Sequence, residues 1–109
     1  TTPTELAKIG IALGRSCRKG GLLKKETARR MVTPVRNGYG LCIGMDDKNP
    51  EIVGHTGGNE CFLAFWILSL KEELCAAAMF NGSNPLAYKV EDNLFGFVDK
   101  ILEKELKDD

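Results

Sequence analysis

The sequence predicts an α+β fold, in which an antiparallel sheet of three to four strands is flanked by an N-terminal and a C-terminal helix. Amphipathic segments near both ends of the chain predict the helices, and apolar, β-branched segments between them predict the sheet. The connections are short, which favours antiparallel pairing because parallel strands need long crossovers. We therefore expect one domain, with a helical lead-in over 1–36, a sheet over 37–83 and a terminal helix over 84–109.

The first predicted helix begins at a strong start signal. Thr2 is placed to cap the helix, Pro3 suits the first helical position, and Glu5 completes a capping box. Apolar residues follow at helical spacing as far as Gly14, where we expect the helix to end. The polar residues 15–21 predict a loop.

The rest of the chain predicts a short helix, four strands and a last helix. The short helix is predicted over Lys25–Val32, and the strands over Tyr39–Met45, Glu51–Thr56, Cys61–Leu70 and Leu74–Phe80. Both alternating sets of side chains in the third strand are apolar, so we expect both of its faces to be covered. The terminal helix can cover one face. The first helix covers the other, or leaves it to a partner.

The net charge and hydropathy of the whole sequence argue against several function classes. The chain has 15 Lys and Arg residues and 15 Asp and Glu residues, a balance that argues against a nucleic-acid or anionic-membrane footprint. No apolar run is long enough for a membrane span, and no leader peptide is visible. We expect a cytoplasmic protein if the chain is complete and an exported one if a leader has been removed. No motif implies a cofactor.

The four cysteines do not form a metal site. They are Cys17, Cys42, Cys61 and Cys75, with no CxxC spacing, and His55 is the single histidine. Zinc sites need closer ligand spacing or more histidines. Three of the cysteines fall in apolar, strand-like segments, so we expect reduced, buried thiols and, weakly, a reducing compartment.

Residues 54–58 read Gly-His-Thr-Gly-Gly, between an apolar pair and a long apolar strand. The segment Glu51–Phe62 resembles the active-site strand of the serine β-lactamase and penicillin-binding-protein superfamily, in its class C-like branch of esterases and D-amino-acid peptidases. TPTELAKIGIAL, GLLKKETARRMVTP and GYGLCIGM are similar to the family's preceding segments, although Cys42 and Ile43 depart from its usual residues. The resemblance spans nearly the whole chain and implies the C-terminal third of a partial β-lactamase-like fold.

The resemblance implies roles for four consecutive residues. His55 and Thr56 would hold a substrate carboxylate, with His55 where the family often has Lys. Gly57 would let substrate lie close to the strand, and the Gly58 backbone N–H would be one oxyanion donor. Read from the residues alone, His55 is an exposed strand-end histidine and the glycines form a turn.

The family's nucleophile has no clear counterpart in the chain. Ser16 and Lys19 form a literal S-x-x-K, but Gly20-Gly21 follows and disfavours the helical turn that would join them. The Y-x-N element is absent, and a pairing of Cys17 with the remote His55 is unsupported. We therefore expect no catalytic residue and no activity of this chain alone.

Two functions remain open from the sequence. The first is a C-terminal segment of a serine hydrolase that cleaves an amide, ester or β-lactam through an acyl-enzyme, with the substrate undetermined. The second is a non-catalytic, self-associating or protein-binding domain derived from the same fold. The expected partner on the apolar sheet face is accordingly the missing N-terminal part of the parent enzyme or a second copy of the chain.

Overall fold

The fold is a four-stranded antiparallel sheet with two helices before it, which confirms the predicted α+β class. The computed structural model describes residues 1–82 and, further on, residues 89–90, 92–93, 96–97 and 100–101. Apart from those few residues, the predicted terminal helix over 84–109 lies outside the described residues. The elements are α1 (Pro3–Lys19), α2 (Lys25–Met31), β1 (Gly44–Met45), β2 (Ile52–Gly58), β3 (Leu63–Ser69) and β4 (Leu74–Phe80).

The strands form a meander in chain order, β1-β2-β3-β4, and every neighbouring pair is antiparallel. Strands β2 and β3 pair along their whole length, from Ile52 opposite Ser69 to Gly58 opposite Leu63. Strand β1 is far shorter and pairs with β2 only at Gly44 and Met45. Within the described residues, the outer side of β2 is therefore paired at its start and not at its end.

Helix α1 begins as predicted but ends one and a half turns later. The Glu5 N–H donates to Thr2 Oγ1 at 3.2 Å, and the Thr2 N–H donates to Glu5 Oε2 at 3.3 Å, so the capping box is confirmed. The predicted end at Gly14 and the predicted loop over 15–21 are wrong, because the helix continues to Lys19. Gly14 faces the sheet, where a β-carbon would lie 3.4 Å from a Leu68 methyl carbon, so this glycine serves packing.

The core lies between α1, α2 and one face of the sheet. Its buried members come from both helices, the segment before β1 and two strands: Leu13, Cys17, Ala28, Ile43, Val53 and Leu68. On the opposite face of β3, Phe65 and Ile67 are also buried. Both faces of this strand are thus covered within the chain, as its two apolar sets of side chains predicted.

Two of the strand boundaries that differ from the prediction shape the site. The strand predicted over Tyr39–Met45 is reduced to Gly44–Met45, because Gly40 N–H donates to the Ile43 carbonyl in a turn and Cys42 has a φ of 60°. Strand β2 extends through Gly58, where a turn was predicted. The turn begins instead at Asn59. The Oδ1 of Asn59 accepts the N–H groups of Cys61 and Phe62, two and three residues further along the chain.

The thiols are less buried than predicted. All four cysteines are free, but only Cys17 is buried and Cys75 half-buried, whereas Cys42 and Cys61 are exposed. The prediction failed for the last two because they lie in loops rather than in the strands assigned to them. Separately, no helix in the described part of the chain is long and apolar enough to cross a membrane.

Candidate functional site

The candidate site is the end of strand β2, which is open on one side. Strand β1 pairs with β2 no further than Gly54, and the four residues beyond it are bonded to β3 alone within the described residues. All four of these residues, His55, Thr56, Gly57 and Gly58, are exposed. The sequence prediction placed its candidate ligand-binding residues here, and the structure brings them together on one free strand edge.

The phase of the strand decides which backbone groups face the open edge. The Asp46 N–H donates to the Ile52 carbonyl at 3.0 Å, so Ile52 directs its backbone groups towards the β1 side. In an antiparallel strand, the N–H and C=O of one residue point to the same side, and successive residues alternate. Thr56 and Gly58 therefore share the orientation of Ile52, and their N–H and C=O groups point outwards beyond the end of β1.

The two glycines of the edge have different roles. No heavy atom lies within 4 Å of the position that a β-carbon on Gly57 would occupy, so Gly57 borders open space. A β-carbon on Gly58 would instead come 2.6 Å from a methyl carbon of Leu63. A β-carbon on Gly58 would therefore crowd the Leu63 side chain, whereas residue 57 has room for one among the described residues.

The side chains of His55 and Thr56 lie on opposite faces of the sheet. His55 is directly opposite Trp66 and Thr56 directly opposite Phe65 in the register of β2 and β3. Tyr39 packs against the imidazole in a T-shaped arrangement, with ring centroids 6.4 Å apart and planes at 79°. A ligand can meet both side chains only if it lies along the edge. The sequence analysis did not identify Tyr39 as a site residue. The one feature that could have indicated it is the presence of an aromatic residue shortly before β1.

Two cavities adjoin the edge. One of about 330 Å³ is lined by the start of β2, by Tyr39 and by His55 and Thr56. The other, of about 350 Å³, is lined by Thr56, Gly57, Gly58 and the start of β3. Thr56 lines both, so the two cavities meet at the free edge. No serine, cysteine or lysine is among the described residues that line them.

Two aspartates, missed in the sequence prediction, line the first cavity. Asp46 stabilises the β1–β2 turn: its Oδ1 accepts the N–H groups of Lys48 and Asn49 at 2.8 Å each. Asp47 is exposed at the same rim. Their negative charges favour a neutral or hydrogen-bond-donating ligand group at this end of the cavity, and a ligand carboxylate nearer to His55.

Ser16 and Lys19 lie away from this edge. The helical turn that joins them does form, contrary to the prediction, because α1 runs to Lys19. Ser16 is nevertheless fully buried: its Oγ donates to the Ala12 carbonyl at 2.8 Å and accepts the Leu23 N–H at 3.3 Å. Lys19 is exposed, and neither residue lines the two cavities. The literal S-x-x-K is therefore part of the structure of α1. A buried hydroxyl that takes part in two hydrogen bonds cannot attack a substrate.

The remaining nucleophile candidate, Cys17, is also unsuited to catalysis. Burial raises the pKa of the Cys17 thiol, an effect opposed by the positive charge of Arg29. The thiol is therefore held in its neutral, weakly nucleophilic form. Cys17 belongs to the core cluster and not to either cavity. In addition, no group of three or more His, Cys, Asp or Glu residues in the described part could hold a metal ion.

Comparisons with known protein families, with curated proteins and with solved structures found no match for this chain.

Proposed function

We propose that the chain is the C-terminal segment of a serine β-lactamase-like hydrolase, in which it supplies the substrate-binding strand and one oxyanion donor. The sequence resemblance over Glu51–Phe62 motivates the proposal. The observation that carries it is the Gly58 N–H, which points to a free, solvent-exposed strand edge. An oxyanion donor must be unpaired and preorganised before substrate arrives; no described residue accepts this N–H, and the pairing of β2 with β3 holds it in place.

The geometry of the edge suits an acyl group held in extended form. A peptide-like substrate can pair with the outward N–H and C=O of Thr56, as an added strand pairs with a sheet edge. Its carbonyl oxygen then lies next to the Gly58 N–H, a donor that contributes about 3 kcal/mol as negative charge develops. Gly57 allows the close approach because no neighbouring atom fills the space beside it.

The two polar side chains hold the substrate, and neither performs the attack. His55, oriented by its T-shaped contact with Tyr39, and Thr56 reach a substrate carboxylate from the two faces of the strand. The attacking serine and its base come from polypeptide outside this chain, because Ser16 is buried and doubly hydrogen-bonded. The acylation and hydrolysis of an amide, ester or β-lactam therefore require that second part.

The proposal is tested by a ligand titration followed by amide-resolved NMR. A penicillin and an N-acyl-D-alanyl-D-alanine peptide are added in turn, and we expect shifts confined to the amides of Thr56, Gly57 and Gly58. Gly57→Ala should abolish them, because its methyl group projects from the same sheet face as His55 and fills the space in which a ligand on the edge meets that side chain. Gly82→Ala is the matched control, since no described residue lies within 4 Å of its β-carbon position and Gly82 follows β4, two strands away from the β2 edge. Shifts that persist in Gly57→Ala, or that arise only elsewhere, contradict the proposal.

Activity and gene context provide a second test. Incubation with an active-serine probe should leave the intact mass of the chain unchanged, and an adduct on Ser16 would overturn the structural role assigned to it. A coding sequence upstream of Thr1 that carries S-x-x-K and Y-x-N supports the hydrolase segment. A start codon directly before Thr1 supports the alternative.

The alternative is a non-catalytic domain that self-associates. The free edge of β2 favours it as well, because unpaired strand edges pair readily with another strand. Phe62 and Leu41, which are 57% and 50% exposed, add apolar surface to the loops next to β3 and β1. Both faces of β3 are buried, so a second copy is better placed at this edge than on a sheet face. Sedimentation velocity decides the point, and a concentration-independent monomer contradicts this alternative.

A further inference from the structure

The charge of the chain is unevenly divided between its helical and sheet parts. Residues 1–36 contain nine of the 15 Lys and Arg residues but only two of the 15 Asp and Glu residues, Glu5 and Glu26. The zero net charge of the whole sequence conceals this asymmetry. A local excess of one sign creates a field that attracts oppositely charged partners even when the total charge is zero.

Three of these cations form a stripe along the outer side of α1. At roughly 100° per residue, Lys8, Arg15 and Lys19 lie within about 40° of one another around the helix axis and span about 16 Å. We call these three residues the basic stripe. The buried residues Leu13 and Cys17 lie on the opposite side of the helix, against the core. The basic stripe therefore faces solvent along three turns.

A groove follows the basic stripe and ends at an exposed leucine. It has a volume of about 560 Å³, and Ile11 and Ala12 line it between the cations. Its far end is formed by Gly20, Gly21 and Leu22, the last of which is 81% exposed. The groove thus presents positive charge and aliphatic surface together.

The positive charge of the basic stripe is largely uncompensated in the described part of the chain. Arg15 Nε lies 3.9 Å from Glu73 Oε2, but Arg18 Nη2 is much closer to that carboxylate, at 2.7 Å from Oε1. Within the described residues, Lys8 and Lys19 form no ion pair. The side chain of Arg15 is 61% exposed and remains available to an anion.

The aliphatic residues distinguish a lipid surface from a nucleic acid. The helical part exposes two further aliphatic side chains besides Leu22, namely Ile9 at 60% and Val35 at 73%. Single-stranded nucleic acids stack on aromatic side chains, and base edges are read largely by Asn, Gln and Arg. Residues 1–36 contain no aromatic residue, no Asn and no Gln, and among these recognition residues they offer only five Arg, so a duplex oligonucleotide is the competing ligand to test.

We propose that the outer face of α1 binds an anionic lipid surface. The basic stripe contacts headgroup phosphates, and Leu22 enters the interface between headgroups and acyl chains. Helix α1 packs on α2, β3 and β4, whereas the candidate site lies on β2. Lipid binding is therefore separate from the proposed substrate edge and does not depend on it.

Vesicle sedimentation with the whole chain tests the proposal. Vesicles with roughly 30% phosphatidylglycerol in phosphatidylcholine are compared with pure phosphatidylcholine, at about 0.1 M and about 0.5 M NaCl. We expect binding to the anionic vesicles that weakens with salt. Replacing the basic stripe (Lys8→Gln, Arg15→Gln, Lys19→Gln) should lower the partition coefficient about 100-fold, because each cation near the surface contributes about fivefold. Leu22→Ser should lower it further.

The matched control removes the same charge elsewhere. Lys48→Gln, Lys71→Gln and Lys89→Gln change the net charge equally while leaving the basic stripe intact, and they should bind as the unaltered chain does. Equal binding of the stripe variant and this control overturns the proposal, as does binding that is insensitive to salt or to phosphatidylglycerol. A duplex oligonucleotide is offered in parallel, and tighter binding to it than to anionic vesicles also overturns the lipid assignment.

Discussion

The α-carbon of Gly10 lies against the side chain of Cys75, so that a β-carbon on residue 10 would come 2.5 Å from the cysteine Sγ. Helix α1 and strand β4 meet at this point, and Trp66 Cε3 would lie 3.3 Å from the same β-carbon. The contact explains why a helix with good propensity has glycine in its middle. The close packing of the helix on the sheet contributes more to stability than the helix propensity that glycine loses at this position.

Gly10→Ala should destabilise the fold by about 1–2 kcal/mol, because overpacking at the Cys75 contact exceeds the roughly 1 kcal/mol that alanine gains in helix propensity. Urea denaturation measures the change. Cys75→Ala removes the Sγ atom, so the double variant should be more stable than the sum of the two single changes implies. Strict additivity would show that the two residues are not in contact.

Gly57→Ala and Gly54→Ala should differ sharply in their effect on stability. Gly57 borders open space, so its substitution should change the free energy of unfolding by less than about 0.5 kcal/mol. A β-carbon on Gly54 would collide with the backbone carbonyl of Trp66, and a loss of about 2 kcal/mol or more is expected. Similar unfolding midpoints for the two variants would mean that the β2 edge is not open as described.

The four thiols should fall into two classes of reactivity. Iodoacetamide at neutral pH should modify the exposed Cys42 and Cys61 in the folded protein, and Cys17 and Cys75 only after unfolding. Peptide mass spectrometry with and without urea measures this. Rapid native modification of Cys17 would contradict its place in the core.

Burial raises the pKa of the Cys75 thiol from 9.0 to about 11, which makes stability depend on alkaline pH. The folded state favours the neutral thiol, so this contribution is fully present below about pH 9 and is lost as pH rises through about 11. Denaturation midpoints at about pH 8 and about pH 10.5 should therefore differ less in Cys75→Ala than in the unaltered chain. An equal pH dependence of the two proteins contradicts this assignment.

Ser16→Ala should cost about 1–2 kcal/mol of stability, because the Leu23 N–H loses the Oγ that accepts its hydrogen bond near the end of α1. Thr27→Ala is a suitable control, since Thr27 is exposed in α2. Thermal unfolding of the two variants measures the difference. A stability unchanged from that of the original chain, combined with lost reactivity towards a serine probe, would restore Ser16 as a nucleophile.

The candidate site was predictable in its residues but not in its geometry. Glycines, a hydroxyl and the one histidine at 54–58 marked the segment, since such residues allow close approach and hydrogen bonding. The sequence assigned Gly57 and Gly58 to a turn because glycine pairs usually form turns. They are in strand β2, because Asn59 forms the turn with its own side chain and pairing with β3 extends to Leu63.

The sequence by itself determined the α+β class, the start of α1, the order of the strands and the burial of both faces of β3. These follow from local capping and from the alternation of apolar side chains, which depend on neighbours in the chain. Tertiary structure alone decided that Ser16 is buried, that β1 has two residues and that the Gly58 N–H faces outwards, whereas the end of α1 follows a local signal, the C-capping Gly20, which the prediction overlooked in favour of Gly14. These features depend on pairing and packing between separate segments of the chain, such as the pairing of Gly44 with Gly54, beyond which β1 no longer covers β2. No local pattern encodes such contacts.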